Sequence, residues 1–397
     1  MSCKKCGKET NNIAYCDNCQ KQFKKDIKAL DKKINTNPKD AKLYFELGFA
    51  YYAIEEFEKA IENYNKAEKL GLKTSKLYSS RGKIQCAVKE FEAAIDDYTK
   101  AIELDSHNED FYYHRGLSKY FLERDIESIT DFDKAIDICP SDASFYYRGC
   151  AKYNLKQYED AISDFNEAIK IDDKDVDYYY YRGLSKHFLE QYKEEILDFD
   201  RAIQLESDDD ILYFYRGRAK HNLEKYAEAI VDFNEAIKLN PNDARYYYYR
   251  GQSSLFLKQH DDAIQDLDKS IELNPQGPSY FNKGLALEIL KKYEDAIEAY
   301  TEAINLREDA DYYYKRGQCK YYLKQYKEAF EDYNKSIELD PKYKNIYEDT
   351  LKDFDNKIEL DFDNANLYNI RGRVYYTLGK YRKAISDYEK AISLNSS

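Results

Sequence analysis

The chain has no tryptophan, and its 397 residues include only 6 prolines and 14 glycines. A loop-rich enzyme of this length would carry more of both, so the shortage of breakers predicts helices joined by short turns. No apolar run approaches the ~18 residues of a membrane span. The start, Met1-Ser2-Cys3-Lys4-Lys5-Cys6, is not followed by the apolar stretch of a secretory signal. The expectation is a protein of a reducing, cytoplasmic compartment. Hydrophobic residues make up 43% and charged residues 35%, too apolar for disorder and too polar for a membrane protein. Tyrosine is the excess, at 43 residues beside 19 Phe. The net charge of -13 is uneven, because residues 1–40 hold ten Lys against five Asp or Glu. The acidic remainder disfavours a nucleic-acid ligand.

The organising feature is a repeat. Gly48, Gly82, Gly116, Gly149, Gly183, Gly217, Gly251, Gly284 and Gly317 are 33 or 34 residues apart, and Gly372 follows after 55. A Tyr or Phe stands four residues before each. Ala-Ile-x-Asp-Phe or a variant follows, as in Ala161-Ile162-Ser163-Asp164-Phe165. Apolar positions recur three and four apart, a helical period, so each unit reads as two helices with a short turn between them. One pair is expected at about Ala143–Lys156 and Tyr158–Ile171. The recurrent Gly falls where helices press together, so Gly183 is a contact glycine and not part of a phosphate loop.

The period and the order Tyr…Gly…Tyr…Ala…Phe…Ala…Pro closely resemble the tetratricopeptide repeat (TPR) over about residues 41–397. The resemblance implies an all-α fold, a right-handed α-α superhelix whose concave face binds peptides or helices of other proteins, and no chemistry of its own. The expected layout is a zinc-ribbon-like motif at 1–20 and a capping helix at 21–38. Nine consecutive repeats follow at 41–341, then a degenerate half repeat at 342–364 and a last repeat at 365–397.

Arg or Lys precedes the glycine in most units (Arg81, Arg115, Arg148, Arg182, Arg216, Arg250, Lys283, Arg316, Arg371), and Asp falls fifteen after it (Asp97, Asp131, Asp164, Asp198, Asp232, Asp266, Asp332, Asp387). Both columns keep the structural period, which predicts a ladder of ion pairs between helices. The alternative is an anion-binding Arg stripe, and the matched Asp column argues against it.

Cys3-x2-Cys6 and Cys16-x2-Cys19 form two knuckles with nine residues between them. Thiolates at this spacing close a tetrahedral Zn2+ site, and the metal would supply folding energy that so short a segment lacks. The segment resembles short zinc ribbons. Four thiolates leave no open position, so the expected role is structural. Cys86, Cys139, Cys150 and Cys319 are scattered and read as small buried hydrophobes.

By the TPR resemblance, the groove is lined by first-helix residues three and two before the glycine and one and four after it. In the middle repeats these include Tyr113, His114, Tyr147, Tyr181, His187, Tyr215, Arg218, His221 and Tyr249. Tyrosine offers a large ring and a hydroxyl at low entropy cost, which suits a protein partner. Ring packing between neighbouring helices is the competing reading. The expected function is a non-catalytic scaffold or adaptor with a peptide or helical partner. The alternatives are a nucleic-acid-associated assembly factor using the basic head, or a cochaperone. The Lys and Asn set of chaperone-binding relatives is not reproduced here.

Overall fold

The computed structural model describes residues 17–395. Among them, 22 α-helices and one 3₁₀ turn are formed and no strand. The chain divides between Ser207 and Asp208 into two compact units. The first holds α1 (Asp17–Thr36) and five hairpins: α2 (Ala41–Tyr52) with α3 (Phe57–Lys69), α4 (Ser75–Ala87) with α5 (Phe91–Leu104), α6 (Glu109–Phe121) with α7 (Asp125–Ile138), α8 (Asp142–Asn154) with α9 (Tyr158–Ile171), and α10 (Val176–Phe188) with α11 (Tyr192–Leu205). The second holds α12 (Asp210–Asn222) with α13 (Tyr226–Leu239), α14 (Ala244–Phe256) with α15 (His260–Leu273), α16 (Gly277–Ile289) with α17 (Tyr293–Leu306), and α18 (Ala310–Tyr322) with α19 (Tyr326–Leu339). A 3₁₀ turn at Pro341–Asn345 and α20 (Ile346–Leu360) lead to α21 (Ala365–Thr377) and α22 (Tyr381–Asn395).

Local chemistry sets the ends. First helices start on side-chain caps: Asp175, Asp209 and Asp243 each accept a hydrogen bond from the amide two residues on. They stop in a left-handed residue. At Lys156 φ is 61°, the Lys156 amide donates to the Tyr153 carbonyl, and the Gln157 amide donates to the Lys152 carbonyl at 2.9 Å. That is a Schellman-type ending. It turns the chain straight into the second helix at Tyr158.

Each hairpin closes on its glycine. A Cβ built on Gly284 would lie 2.5 Å from the Tyr300 ring, and one on Gly149 would lie 2.8 Å from the Phe165 ring. Tyr300 and Phe165 are fully buried. The first helix therefore seats its bare backbone directly on the side chain sixteen residues ahead, an aromatic ring in these two hairpins and Leu267 under Gly251. Small residues of the second helix, such as Ala161 and Ala168, are also fully buried and let the two backbones approach.

The flanks depart from the repeat. Helix α1 lays Phe23, Ile27 and Leu30 against Leu47, Ala50 and Ala53 of the first hairpin, covering that apolar edge. Between Gly317 and Gly372, the degenerate half repeat expected at 342–364 is the 3₁₀ turn followed by a single helix, α20. Its Tyr347, Leu351, Phe354 and Ile358 join a core with Phe330 and Tyr333 of α19 and Leu367, Ile370 and Val374 of α21.

Candidate partner-binding face

The arginine column is fully engaged by the protein itself. In Arg81–Asp97, Arg115–Asp131, Arg148–Asp164, Arg250–Asp266, Arg316–Asp332 and Arg371–Asp387, Nε and Nη2 grip both carboxylate oxygens at 2.5–3.0 Å. Arg182–Asp198 and Arg216–Asp232 are equally two-pronged. The remaining nitrogen of Arg148 reaches Asp133 of the preceding hairpin, and that of Arg182 reaches Asn166. A lysine three residues past the glycine, such as Lys152 or Lys186, takes the same Asp at 2.7 Å. Each guanidinium also lies 5.4–5.8 Å from the ring three residues before it, as Arg182 does over Tyr179. These groups staple neighbouring hairpins together, and a two-pronged carboxylate on each one leaves no stripe for an external anion.

The tyrosine face is a mesh of half-buried rings. Tyr113 packs on Phe132 and Tyr147, and Tyr147 stacks on Phe132 at 6.2 Å. Tyr181 meets Tyr146, Tyr153 and Phe165. Tyr215 carries the Arg218 guanidinium 4.6 Å from its centroid. Tyr249 meets Phe214, His221 and Phe233. His114 stacks on Tyr98 at 5.5 Å and lies 3.3 Å from Asp110. Hydrogen bonding to His114, and then to Lys83, holds the Asp110 carboxyl well below the usual carboxylate range. His187 Nδ1 is 3.1 Å from both oxygens of the fully buried Glu195. His221 Nδ1 is 2.9 Å from Ser253 Oγ, and burial pushes its imidazole below the ordinary value. Every predicted groove residue is therefore half-buried, and each shares its ring or charged head with neighbours.

Two features escaped the sequence reading. The first is a set of stacked aromatic pairs: Phe91–Phe121, Tyr158–Phe188, Tyr226–Phe256 and Tyr293–Tyr322, at 4.5–5.2 Å and within 22° of parallel. The later ring of each pair is 52–60% exposed. The signal was present in the sequence, since Phe121, Phe188 and Phe256 all stand five after a repeat glycine, with Asn154 and Asn222 in the repeats between. The second is a cavity of about 640 Å³ between α2, α4 and α6, lined by Tyr52, Cys86, Ala87, His114, Leu117 and Phe121 among others. Its α4 wall includes Cys86 and Ala87, where the next first helix carries Tyr120 and Phe121.

Cys3, Cys6 and Cys16 lie outside the described residues, and Cys19 falls in the first turn of α1. Among the described residues no group of three His, Cys, Asp or Glu is arranged to hold a metal. Cys150 and Cys319 are buried, and burial raises the Cys319 thiol to about 12. Cys86 is half-buried, and Cys139 is exposed, against the expectation of four buried thiols. Among the described residues no helix is long and apolar enough to cross a membrane.

Comparison with known proteins agrees with this architecture. Tetratricopeptide-repeat family models match residues 278–309, 310–343 and 365–397, 82–121 and 217–254, 143–175, and 41–70 and 244–276. No curated protein matches the chain. Among solved structures, the C-terminal part of a TPR protein from Cytophaga hutchinsonii is 17% identical, with a TM-score of 0.51, over 57% of this chain and 94% of that one. YrrB, described as a TPR protein with an unusual peptide-binding site, is 24% identical with a TM-score of 0.43, over 49% and 97%. A TPR protein from Parabacteroides merdae is 21% identical with a TM-score of 0.45, over 64% and 98%. With matches across more than half its length and a glycine-seated hairpin in every matched segment, the chain belongs to the tetratricopeptide-repeat family.

Proposed function

We propose that the protein is a non-catalytic scaffold whose first-helix face holds a peptide or helix from a protein partner. The observation that supports this most is that face itself: half-exposed rings held rigid by their neighbours, beside a cavity of about 640 Å³ with the Phe91–Phe121 pair at its rim. Rigid aromatic surface buries apolar partner side chains at low entropy cost. The proposed contacts are Tyr113, His114, Tyr147, Tyr181 and His187 in the first unit, and Tyr215, Arg218, His221 and Tyr249 in the second. Their test is the double substitution Tyr181→Ala with Tyr215→Ala, with folding checked by thermal melt. The strongest partner recovered by affinity capture should lose at least ~30-fold in affinity, the size of one hot-spot truncation. Unchanged affinity in a folded variant would reject this face.

The head is proposed to bind one structural Zn2+ through Cys3, Cys6, Cys16 and Cys19. Its support is the paired spacing of the cysteines. Elemental analysis of reduced, freshly purified protein should return one zinc per chain, lost in Cys19→Ser while the helical signal persists. Protein without zinc would reject it.

A further inference from the structure

The capping helix α1 carries a face that capping does not need. Phe23, Ile27 and Leu30 turn one side of it onto the first hairpin. Lys21, Lys24, Lys25, Lys28 and Lys32 lie away from that side, and all five are exposed. At about 100° per residue they fall within about 100° of the helix circumference and span roughly 17 Å along its axis. The face is a single stripe of positive charge on a helix that is not part of the first-helix face.

Among the described residues, none of the five pairs with an acid. Lysines of the repeats do: Lys170 meets Glu167 at 2.6 Å, Lys238 meets Glu235 at 3.0 Å, and Lys152 meets Asp164 at 2.7 Å. On α1 the neighbours three and four residues away are mostly further lysines: Lys21 with Lys24 and Lys25, Lys28 with Lys24, Lys25 and Lys32. Like charges at these steps destabilise a helix. Covering the edge of the first hairpin requires only the apolar side of α1. The stripe therefore weakens the helix and contributes nothing to the cap, and counter-charge from outside would relieve the repulsion.

The borders of the stripe decide what can lie on it. Asp31 stands at its edge. Burial and the Asp31 carboxylate raise the Tyr51 hydroxyl, with Lys59 opposing and Glu56 adding, which gathers Asp31 and Glu56 around one ring. The chain beyond residue 40 holds all of the negative excess. A duplex or a flat bilayer is wider than the stripe and would press its phosphates onto that acid. A polypeptide helix, about 10 Å across, fits along the stripe alone. Residues 1–40 contain no arginine. Lysine is a point charge without arginine's flat fork, so the stripe reads charge and spacing.

We propose that α1 docks an acidic helix of a partner polypeptide, one with Asp or Glu at three- and four-residue steps along a face. Two helices laid side by side share the same rise and turn, so carboxylates at those steps meet the lysines in register. The contact is a sum of exposed pairs, each weak alone.

The test uses the full chain and the fluorescence anisotropy of an alanine-based helical peptide, acetylated and amidated, with glutamates at those steps. At low salt it should bind at least ~10-fold more tightly than its glutamine counterpart, the sum of a few exposed ion pairs. Salt near ~1 M, where the Debye length falls to about 3 Å, should release it. Lys24→Glu with Lys28→Glu should weaken it at least ~10-fold. Lys24→Gln with Lys28→Gln, which only removes like-charge pairs from an exposed face and so keeps the fold, should weaken it several-fold. Lys193→Glu, at an exposed lysine of α11, should leave it unchanged. Tyr181→Ala with Tyr215→Ala should also leave it unchanged, which separates this surface from the first-helix face. Equal binding of the glutamate and glutamine peptides, or indifference to both α1 variants, overturns the stripe as a site. Tighter binding of a random-sequence DNA duplex or of phosphatidylserine vesicles, lost in the same variants, overturns the acidic helix as its occupant.

Discussion

Two consecutive hairpins of the second unit solve the same packing problem in different ways. In α14–α15, Arg250 grips Asp266 with two hydrogen bonds and reaches Asn234 of the preceding hairpin. In α16–α17 the Arg is Lys283 and the Asp is Ala299, and Lys283 pairs only with Asp268 of the preceding hairpin, at 2.6 Å. The space beside them is a cavity of about 590 Å³ lined in part by Lys283, Leu287 and Ala299. Yet both hairpins keep the glycine seat, Gly251 on Leu267 and Gly284 on Tyr300. The steric key is kept where the charge pair is lost. Shape therefore closes the hairpin, while the ion pair fixes register at little net gain in stability.

The strongest break of this comparison lies in the hairpin without the ion pair. Tyr300→Ala removes a fully buried ring and the surface on which Gly284 rests. It should cost about 3–5 kcal/mol in urea denaturation, as large aromatic-to-alanine changes do. A loss comparable to that of a surface substitution would show that the glycine seat is incidental. Gly284→Ala should come next. Its Cβ would need the Tyr300 ring to shift, an overpacking cost of about 1–3 kcal/mol. Improved helix propensity returns about 1 kcal/mol, so a net loss of ~1 kcal/mol is expected in the same assay.

A smaller effect sharpens the electrostatic side. Burial lowers the His221 imidazole below its ordinary value, so the unfolded chain takes up the proton first as pH falls. Stability from the neutral ring is present above the ordinary histidine range and is lost as pH drops through it. His221→Gln should therefore lose less stability than the parent between pH 7.5 and pH 5.5. Parallel pH profiles would contradict this. The smallest effect is at the turns. Lys156 holds φ at 61°, whereas the last turn uses Gly379 at 69°. Lys156→Gly should be neutral or stabilising by no more than about 1 kcal/mol, relief of the left-handed strain being offset by the entropy of the unfolded chain. A clear loss would mean that the lysine side chain matters there.

Much of the fold was legible because period and sterics are written locally. The glycine spacing marked the hairpins, and the Ala143–Lys156 and Tyr158–Ile171 expectations fall within a few residues of α8 and α9. The Arg–Asp ladder was legible for the same reason, both columns sharing the period. The third arm of the ladder was not, because Asn166 and Asp133 lie on a neighbouring hairpin and their pairing depends on how hairpins stack. The tyrosine positions were legible, but their mutual packing was not. A ring two residues before a glycine can face a groove or another ring, and only three-dimensional neighbours decide.

The direct test of shape over charge is a transplant into the regular hairpin, followed by urea denaturation at neutral pH. Asp266→Ala alone should cost about 3 kcal/mol, because Arg250 is left half-buried without its carboxylate. Adding Arg250→Lys together with Asn234→Asp, which reproduces Lys283, its partner Asp268 and Ala299 of the next hairpin, should recover most of that loss. If this triple variant is as unstable as Asp266→Ala, the ion pair itself holds the hairpin together and the glycine seat is secondary.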